Sequence, residues 1–349
     1  MNRKEFLRTA GMAMIGLPFL MKLQAASIGK SVKPIEGSWF EFQHHSEVEG
    51  KYWNPALEKF TAEEWDAKVK EIAQTGMRYL VLLDVAIYDK SFYPSKLLPQ
   101  HKMGCADPLE AILTAADKYN IRFFVSNGFF GNWRNPALLM KDPEVNKLRL
   151  KAMNEVAENY GHHKSFYGWY YPNETGINGH YDDFFINYVN TSSAEAARLM
   201  PKSKTLIAPY GTRKVIADEK YVRQLEQLDV DFIAYQDEIG VEKTQIDESA
   251  GYFESLYKLH KKAAKARIWA DVEVFRFEGA VYNSALLPAS PERVIAQLEA
   301  VSPYVEKILI YQYLGMLNAP NSKAFAGHPD STELYRTLQK NRFLLSNKG

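Results

Sequence analysis

The 349-residue chain is poor in the residues that several specialised chemistries need. It has one cysteine, Cys105, so no intramolecular disulfide can form, and zinc or iron–sulfur sites built on several thiolates are excluded. Histidine is scarce, at eight residues. An excess of charge of one sign is also missing: 43 Lys and Arg offset 42 Asp and Glu, for a formal net charge of +1. No basic field draws nucleic acid, and there is no acidic tail. A Gly-x-Gly-x-x-Gly turn does not follow the first apolar strand, which argues against an open dinucleotide-binding sheet. Linkers, internal repeats and low-complexity blocks are lacking too, so a single domain is expected.

Long apolar runs are confined to the first residues, MNRKEFLRTAGMAMIGLPFLMKLQAAS. Arg3, Lys4 and Arg8 precede an apolar stretch from Ala10 to Met21, and Lys22 and Leu23-Gln24-Ala25 follow it. This is the layout of a secretory signal, too short for a comfortable membrane span. The expectation is a leader over 1–26, a mature domain over 27–349 with no stable membrane span, and a periplasmic or extracellular location. Lys4 stands where a twin-arginine signal has its second Arg, which leaves the export route open. No Cys follows the apolar stretch, so no lipid anchor is expected.

Aromatic residues are abundant, at 13% of the chain with 21 Tyr and 6 Trp. Many fall in short apolar runs at 37–43, 78–84, 121–127, 166–172, 204–210, 231–237, 267–273 and 307–313. Continuous apolar character of this length suits strands buried on both faces, as in a parallel sheet. Helical patterns alternate with them. Thr61-Ala62-Glu63-Glu64 has the spacing of a capping box, with Trp65, Val69 and Ile72 on one stripe and Gly76 as a stop. Asp107-Pro108 and Ser290-Pro291 open two more helices. Others fit at 142–160, 181–199, 217–228, 246–265 and 331–344. Eight strands, each followed by a helix, give an α/β fold of the (β/α)8 TIM-barrel type.

In such a barrel the C-terminal strand ends build the site. Here they carry Glu41, His44 and His45 on the first, Asp84 on the second, Asn127 on the third, and Asn173-Glu174 on the fourth. Tyr210 ends the fifth, Tyr235, Asp237 and Glu238 end the sixth, Asp271 and Glu273 the seventh, and Tyr311 and Tyr313 the eighth. Two carboxylates facing each other across a mouth can protonate a leaving oxygen and attack a sugar carbon. Glu174 and Glu273, on opposite strands, are the best pair. Asp271 and Glu278 are rivals of Glu273, and a partnership of Glu174 with Asp237 or Glu238 would suit inversion instead. Asp84 reads either as a site residue or as a capping carboxylate. Adjacent His44 and His45 should point to opposite faces of a strand, so at most one enters the mouth. Rings such as Trp53, Tyr88, Phe129, Phe130, Trp133 and Phe275 could stack on the C–H faces of sugars. Gly128-Phe129-Phe130-Gly131-Asn132-Trp133 is the best stacking loop.

The Asn173-Glu174 pair ending strand 4 and Glu273 ending strand 7 resemble the large clan of retaining TIM-barrel glycosidases. That resemblance implies Glu174 as general acid/base, Asn173 on the sugar 2-hydroxyl, Glu273 as nucleophile, and Tyr235 beside it. More narrowly, the layout from Gly37 to Leu344 resembles the DUF4434 family of bacterial TIM-barrel proteins. Two features depart from the clan: Tyr311-Gln312-Tyr313 stands where a Trp is usual, and no Arg from strand 2 is evident. The reading is an exported glycoside hydrolase acting on an oligo- or polysaccharide, without cofactor or metal. A non-catalytic carbohydrate-binding barrel keeps the aromatic mouth without the catalytic pair. A metal-dependent hydrolase would gather His44 or His45 with Asp84 and Asp271.

Overall fold

The computed structural model describes residues 32–345; the expected leader over 1–26 lies outside them. Eight parallel strands close into a barrel: β1 (Ile35–Phe40), β2 (Tyr79–Leu82), β3 (Arg122–Ser126), β4 (Phe166–Tyr170), β5 (Lys204–Ile207), β6 (Phe232–Gln236), β7 (Arg267–Glu273) and β8 (Lys307–Tyr311). Each strand pairs with its sequence neighbours, and β1 pairs with both β2 and β8. A backbone hydrogen bond from Ile35 N to Phe343 O, 2.9 Å, ties the start of β1 to the far end of the chain. The (β/α)8 expectation is met.

The helices follow the strands: α1 (Ala62–Gln74), α2 (Pro108–Tyr119), α3 (Pro143–Tyr160), α4 (Asp183–Leu199), α5 (Glu219–Gln227), α6 (Ile246–Ala263), α7 (Pro291–Val301) and α8 (Ser331–Lys340). Their starts use the chemistry the sequence announces. Thr61 and Glu64 form a reciprocal capping box, and Asp107 and Ser290 cap α2 and α7 ahead of a first-turn proline. Five pieces go beyond the sequence reading: short helices at Asn54–Leu57 and Pro136–Lys141, a 3-10 turn at Thr212–Lys214, and small hairpins at 86–91 and 275–288. Hairpin strands of two or three residues are too short to show alternation. No helix among the described residues is long and apolar enough to cross a membrane.

Apolar residues divide between two faces of the sheet. Outward-facing side chains pack under the helices in one large cluster. Inward-facing ones fill the barrel with rings, among them Trp39, Tyr79, Phe124, Tyr170, Phe232 and Trp269. Trp269 stacks on Phe232 at 4.3 Å and meets Tyr79 and Phe124 edge-on. The interior is thus a packed core up to the level where the polar strand ends begin.

Candidate active site

The stretch Trp169–Gly176 shows how the fold delivers a carboxylate. Trp169 packs outward against Phe166, and Tyr170 turns inward. Pro172 cannot extend the ladder, so the chain leaves the barrel there and presents Glu174 to the mouth. The Tyr170 hydroxyl donates to Glu174 Oε1 at 3.1 Å, and Gln236 Nε2 donates to Oε2 at 2.8 Å. Burial pushes the Glu174 carboxyl up to about 7, with Glu238 adding to the rise, against the pull of these two donors.

Glu273 is the last residue of β7, paired with Tyr311. Its Oε2 accepts the backbone N–H of Val241 at 2.9 Å. Beside it lies Asp237, whose Oδ1 accepts the Glu273 backbone N–H at 3.1 Å and whose Oδ2 accepts from Gln297 at 2.7 Å. Burial first, and then the Asp237 charge, holds the Glu273 carboxyl above its ordinary range. Asp271, two residues earlier, shares the inward face. Burial and the carboxylates of Glu273, Glu174 and Asp237 raise it well above its usual value, and its Oδ1 has no hydrogen-bond partner.

Glu174, Glu273 and Asp271 line one cavity of about 440 Å³ at the C-terminal end of the barrel. Glu49 and Glu238 join them, and so do the rings of Phe129, Trp133, Tyr210, Phe275, Tyr282 and Tyr311. Of the residues singled out in the sequence, the cavity therefore gathers Glu174, Glu273, Asp271, Glu238, His44, His45, Phe129, Trp133, Tyr210, Phe275 and Tyr311.

Others lie elsewhere. Tyr235 is buried on the outer face of β6, where its hydroxyl meets Tyr221 and His260. Strand alternation turns Ala234 and Gln236 inward and Tyr235 outward, which removes it from the cavity wall. Asn127 faces the helix layer, bonded to Ser192 and Tyr188. Tyr313 donates to Glu71 of α1. Glu41 accepts from Trp53 and Gln312 and does not line the cavity. Neither do Asn173 and Asp84, both buried; burial, helped by Glu41, holds the Asp84 carboxyl well above its usual value. Asp237 sits behind Glu273 as its neighbour rather than on the wall. Of the rival carboxylates, Glu278 bonds Lys51 and Tyr52 outside the cavity.

The histidine expectation needs correcting. Strand β1 ends at Phe40, so His44 and His45 lie in the following turn and strand alternation does not apply. Their rings stack at 4.4 Å and both line the cavity. Among the described residues, the group of His and carboxylate side chains whose ligand atoms lie within 4.8 Å of one another is instead Glu110, His162 and His163, none of which lines the cavity. There His163 bonds Asp117 and Glu110 through its two ring nitrogens.

The sequence places Gln236 at the end of β6 without selecting it for the site, and passes over Glu49, Lys243 and Tyr282 as wall residues. Alternation along β6 would have selected Gln236 over Tyr235. The other three lie in loops, where no period announces a direction.

Fold and site together define a (β/α)8 barrel whose cavity, at the C-terminal ends of the strands, is lined with carboxylates and aromatic rings. The chain belongs to the family described as Domain of unknown function (DUF4434), whose profile matches residues 35–324. Among solved structures it is similar to one described as a "putative alpha-L-fucosidase" from Bacteroides thetaiotaomicron VPI-5482, with a TM-score of 0.70 and 19% identity over 89% of this chain and 95% of that one. An endo-beta-1,4-mannanase from Thermotoga petrophila matches with a TM-score of 0.56 and 12% identity, over 91% of this chain and 78% of the other. An endo-1,4-beta-mannanase from Rhizomucor miehei gives 0.53 and 10%, over 90% and 97%. These likenesses establish the barrel fold. No curated protein matches the chain.

Proposed function

We propose that the protein is a glycoside hydrolase that cleaves O-glycosidic bonds of a glycan. The observation that carries the reading is the placement of Glu174 and Glu273, on strands 4 and 7, in the wall of one ring-lined cavity. Glu174 protonates the glycosidic oxygen; its carboxyl, raised to about 7, holds a proton near neutrality. Glu273 attacks the anomeric carbon as the carboxylate, its charge supported by the Val241 N–H. Water then releases the sugar, with Glu174 as base. The named glycosidases among the similar folds agree with this reading, and the residues 1–26 support an exported protein.

One observation favours a second reading. Burial holds the Glu273 carboxyl, like that of Glu174, above the ordinary range, which favours the protonated form of both groups. A carbohydrate-binding barrel without turnover tolerates that; a nucleophile must lose its proton when substrate enters.

Hydrolysis of a panel of plant and host glycans and aryl glycosides separates the two. The mature protein is compared with Glu174→Gln and Glu273→Gln, each checked for folding. The hydrolase reading expects kcat to fall at least about 10²-fold in both variants. Activity that survives both substitutions sinks the pair. Binding without hydrolysis by the wild type selects the second reading. The anomer released first, read by NMR, tests retention.

A further inference from the structure

The cavity wall is unbalanced in a way that hydrolysis alone does not require. Five carboxylates line it: Glu49, Glu174, Glu238, Asp271 and Glu273. Lys243 is the one lysine or arginine lining it among the described residues. That ammonium is already engaged, lying 5.1 Å from the Tyr210 ring centre and 5.3 Å from that of Tyr282.

Two of the carboxylates have unspent acceptors. Asp271 Oδ1 and Glu238 Oε2 are buried atoms with no hydrogen-bond partner, on residues 2% and 1% exposed. A carboxylate oxygen buried without a partner costs stability unless a ligand supplies a donor. Both residues line the cavity, and no hydrogen bond from the protein reaches either side-chain oxygen of Asp271, so a donor that enters the cavity can pair with this wall. Gln236 cannot serve, because its amide nitrogen is committed to Glu174 and to the Ala208 carbonyl.

We infer that the cavity recognises a sugar ring bearing a protonated amino group, held by Asp271 and Glu238. The inference rests on the glycoside-hydrolase reading for its sugar and on the wall charges for its amine. An ammonium offers three donors and a positive charge to a wall of acceptors. It takes the place of protons that the crowded carboxylates otherwise hold. The aromatic rings receive the apolar face of the ring and add cation–π attraction. A uronate brings a further carboxylate into the same space and is disfavoured.

The test is calorimetric binding of glucosamine, galactosamine and mannosamine, beside their neutral parents and the matching uronates. At least one amino sugar is expected to bind about tenfold or more tightly than its neutral parent, with the uronate weakest. Asp271→Asn keeps the shape of the wall and is expected to abolish most of that margin between the amino sugar and its neutral parent. Glu238→Gln provides an independent second variant. Equal affinity for amino and neutral sugars, tighter uronate binding, no amino-sugar binding at all, or a margin that survives both variants overturns the inference. These readouts are separate from turnover. Amino-sugar preference in a protein that hydrolyses no glycoside removes the hydrolase reading and keeps this one. Hydrolysis that needs both glutamates but acts on neutral sugars, with no preference for amines, does the reverse.

Discussion

A buried carboxyl that keeps its proton is a costly ornament on a stable barrel, and Glu174 is one. Its pKa rises from an ordinary carboxylate value to about 7 because folding removes water from it. The folded state therefore holds this proton more tightly than the unfolded chain. Stability from that source is complete below the ordinary carboxylate range and is lost as pH climbs towards about 7. Glu174→Gln is expected to gain about 1–2 kcal/mol over the wild type above pH 7, allowing for the water that reaches the cavity, and nothing at low pH. Thermal unfolding at several pH values checks this. The same group sets an activity limb: kcat/KM should fall as pH rises through about 7, because the acid is then ionised. A flat profile across that range in the wild type contradicts the assignment of Glu174 as acid.

Residue-level reading of the sequence finds the strand ends, and the direction of each polar residue there depends on the phase of the strand and on where it stops. Glu174 follows an aromatic strand and a proline, so its direction was legible. At β6 the phase of alternation decides between Tyr235 and Gln236, and only the inward set of the neighbouring residues reveals it. His44 and His45 were misread because the strand stops four residues before His44. Asn127 and Tyr313 show the same limit: polar tips near strand ends can serve the helix layer as well as the mouth.

At the scale of elements, the β6–α6 loop is the piece that makes Glu273 what it is. It carries Glu238, Val241 and Lys243 to the cavity and lays a backbone N–H on the Glu273 carboxylate. Gly240 permits this approach. A Cβ there would lie 2.9 Å from Glu273 Cβ and 2.9 Å from Phe275 O. Gly240→Ala is expected to shift the loop, lowering kcat about tenfold or more with a smaller loss of stability. Steady-state kinetics beside a melting curve separate these effects; a fall in stability with unchanged kcat per folded molecule would show that the loop does not position Glu273. Elements distant from the mouth should answer to local chemistry alone. Thr61→Ala removes one arm of the capping box and should cost about 1 kcal/mol, seen as a lower denaturant midpoint with kinetics untouched. The elements themselves were the most legible layer of the sequence, since apolar runs, caps and prolines all pointed to alternating strand and helix. The hairpins were not, being too short to carry a period.

For the whole molecule, stability depends on a barrel interior filled with rings and on ties between distant parts of the chain. Trp269, fully buried between Phe232, Tyr79 and Phe124, anchors the interior. Trp269→Ala should cost about 3–5 kcal/mol in equilibrium denaturation. A second tie is polar: Lys68 of α1, buried, meets Glu71 at 2.9 Å and Asn318 of the β8–α8 loop at 2.9 Å. Glu71→Ala strands a buried ammonium and should cost about 3–5 kcal/mol, while Lys68→Met combined with Glu71→Leu should recover most of it. If the double variant is no better than the single, the pair contributes more than mutual neutralisation.

The β1–β8 pairing and the bond from Ile35 to Phe343 make the covalent order of this fold incidental. Eight strand–helix units stand in a ring, and the first and last described segments already touch at Ile35 and Phe343. A chain opened instead at the exposed Pro201-Lys202 turn, with residue 345 linked to residue 32, would retain every strand pairing. The cavity does not depend on where synthesis begins, only on the ring being closed.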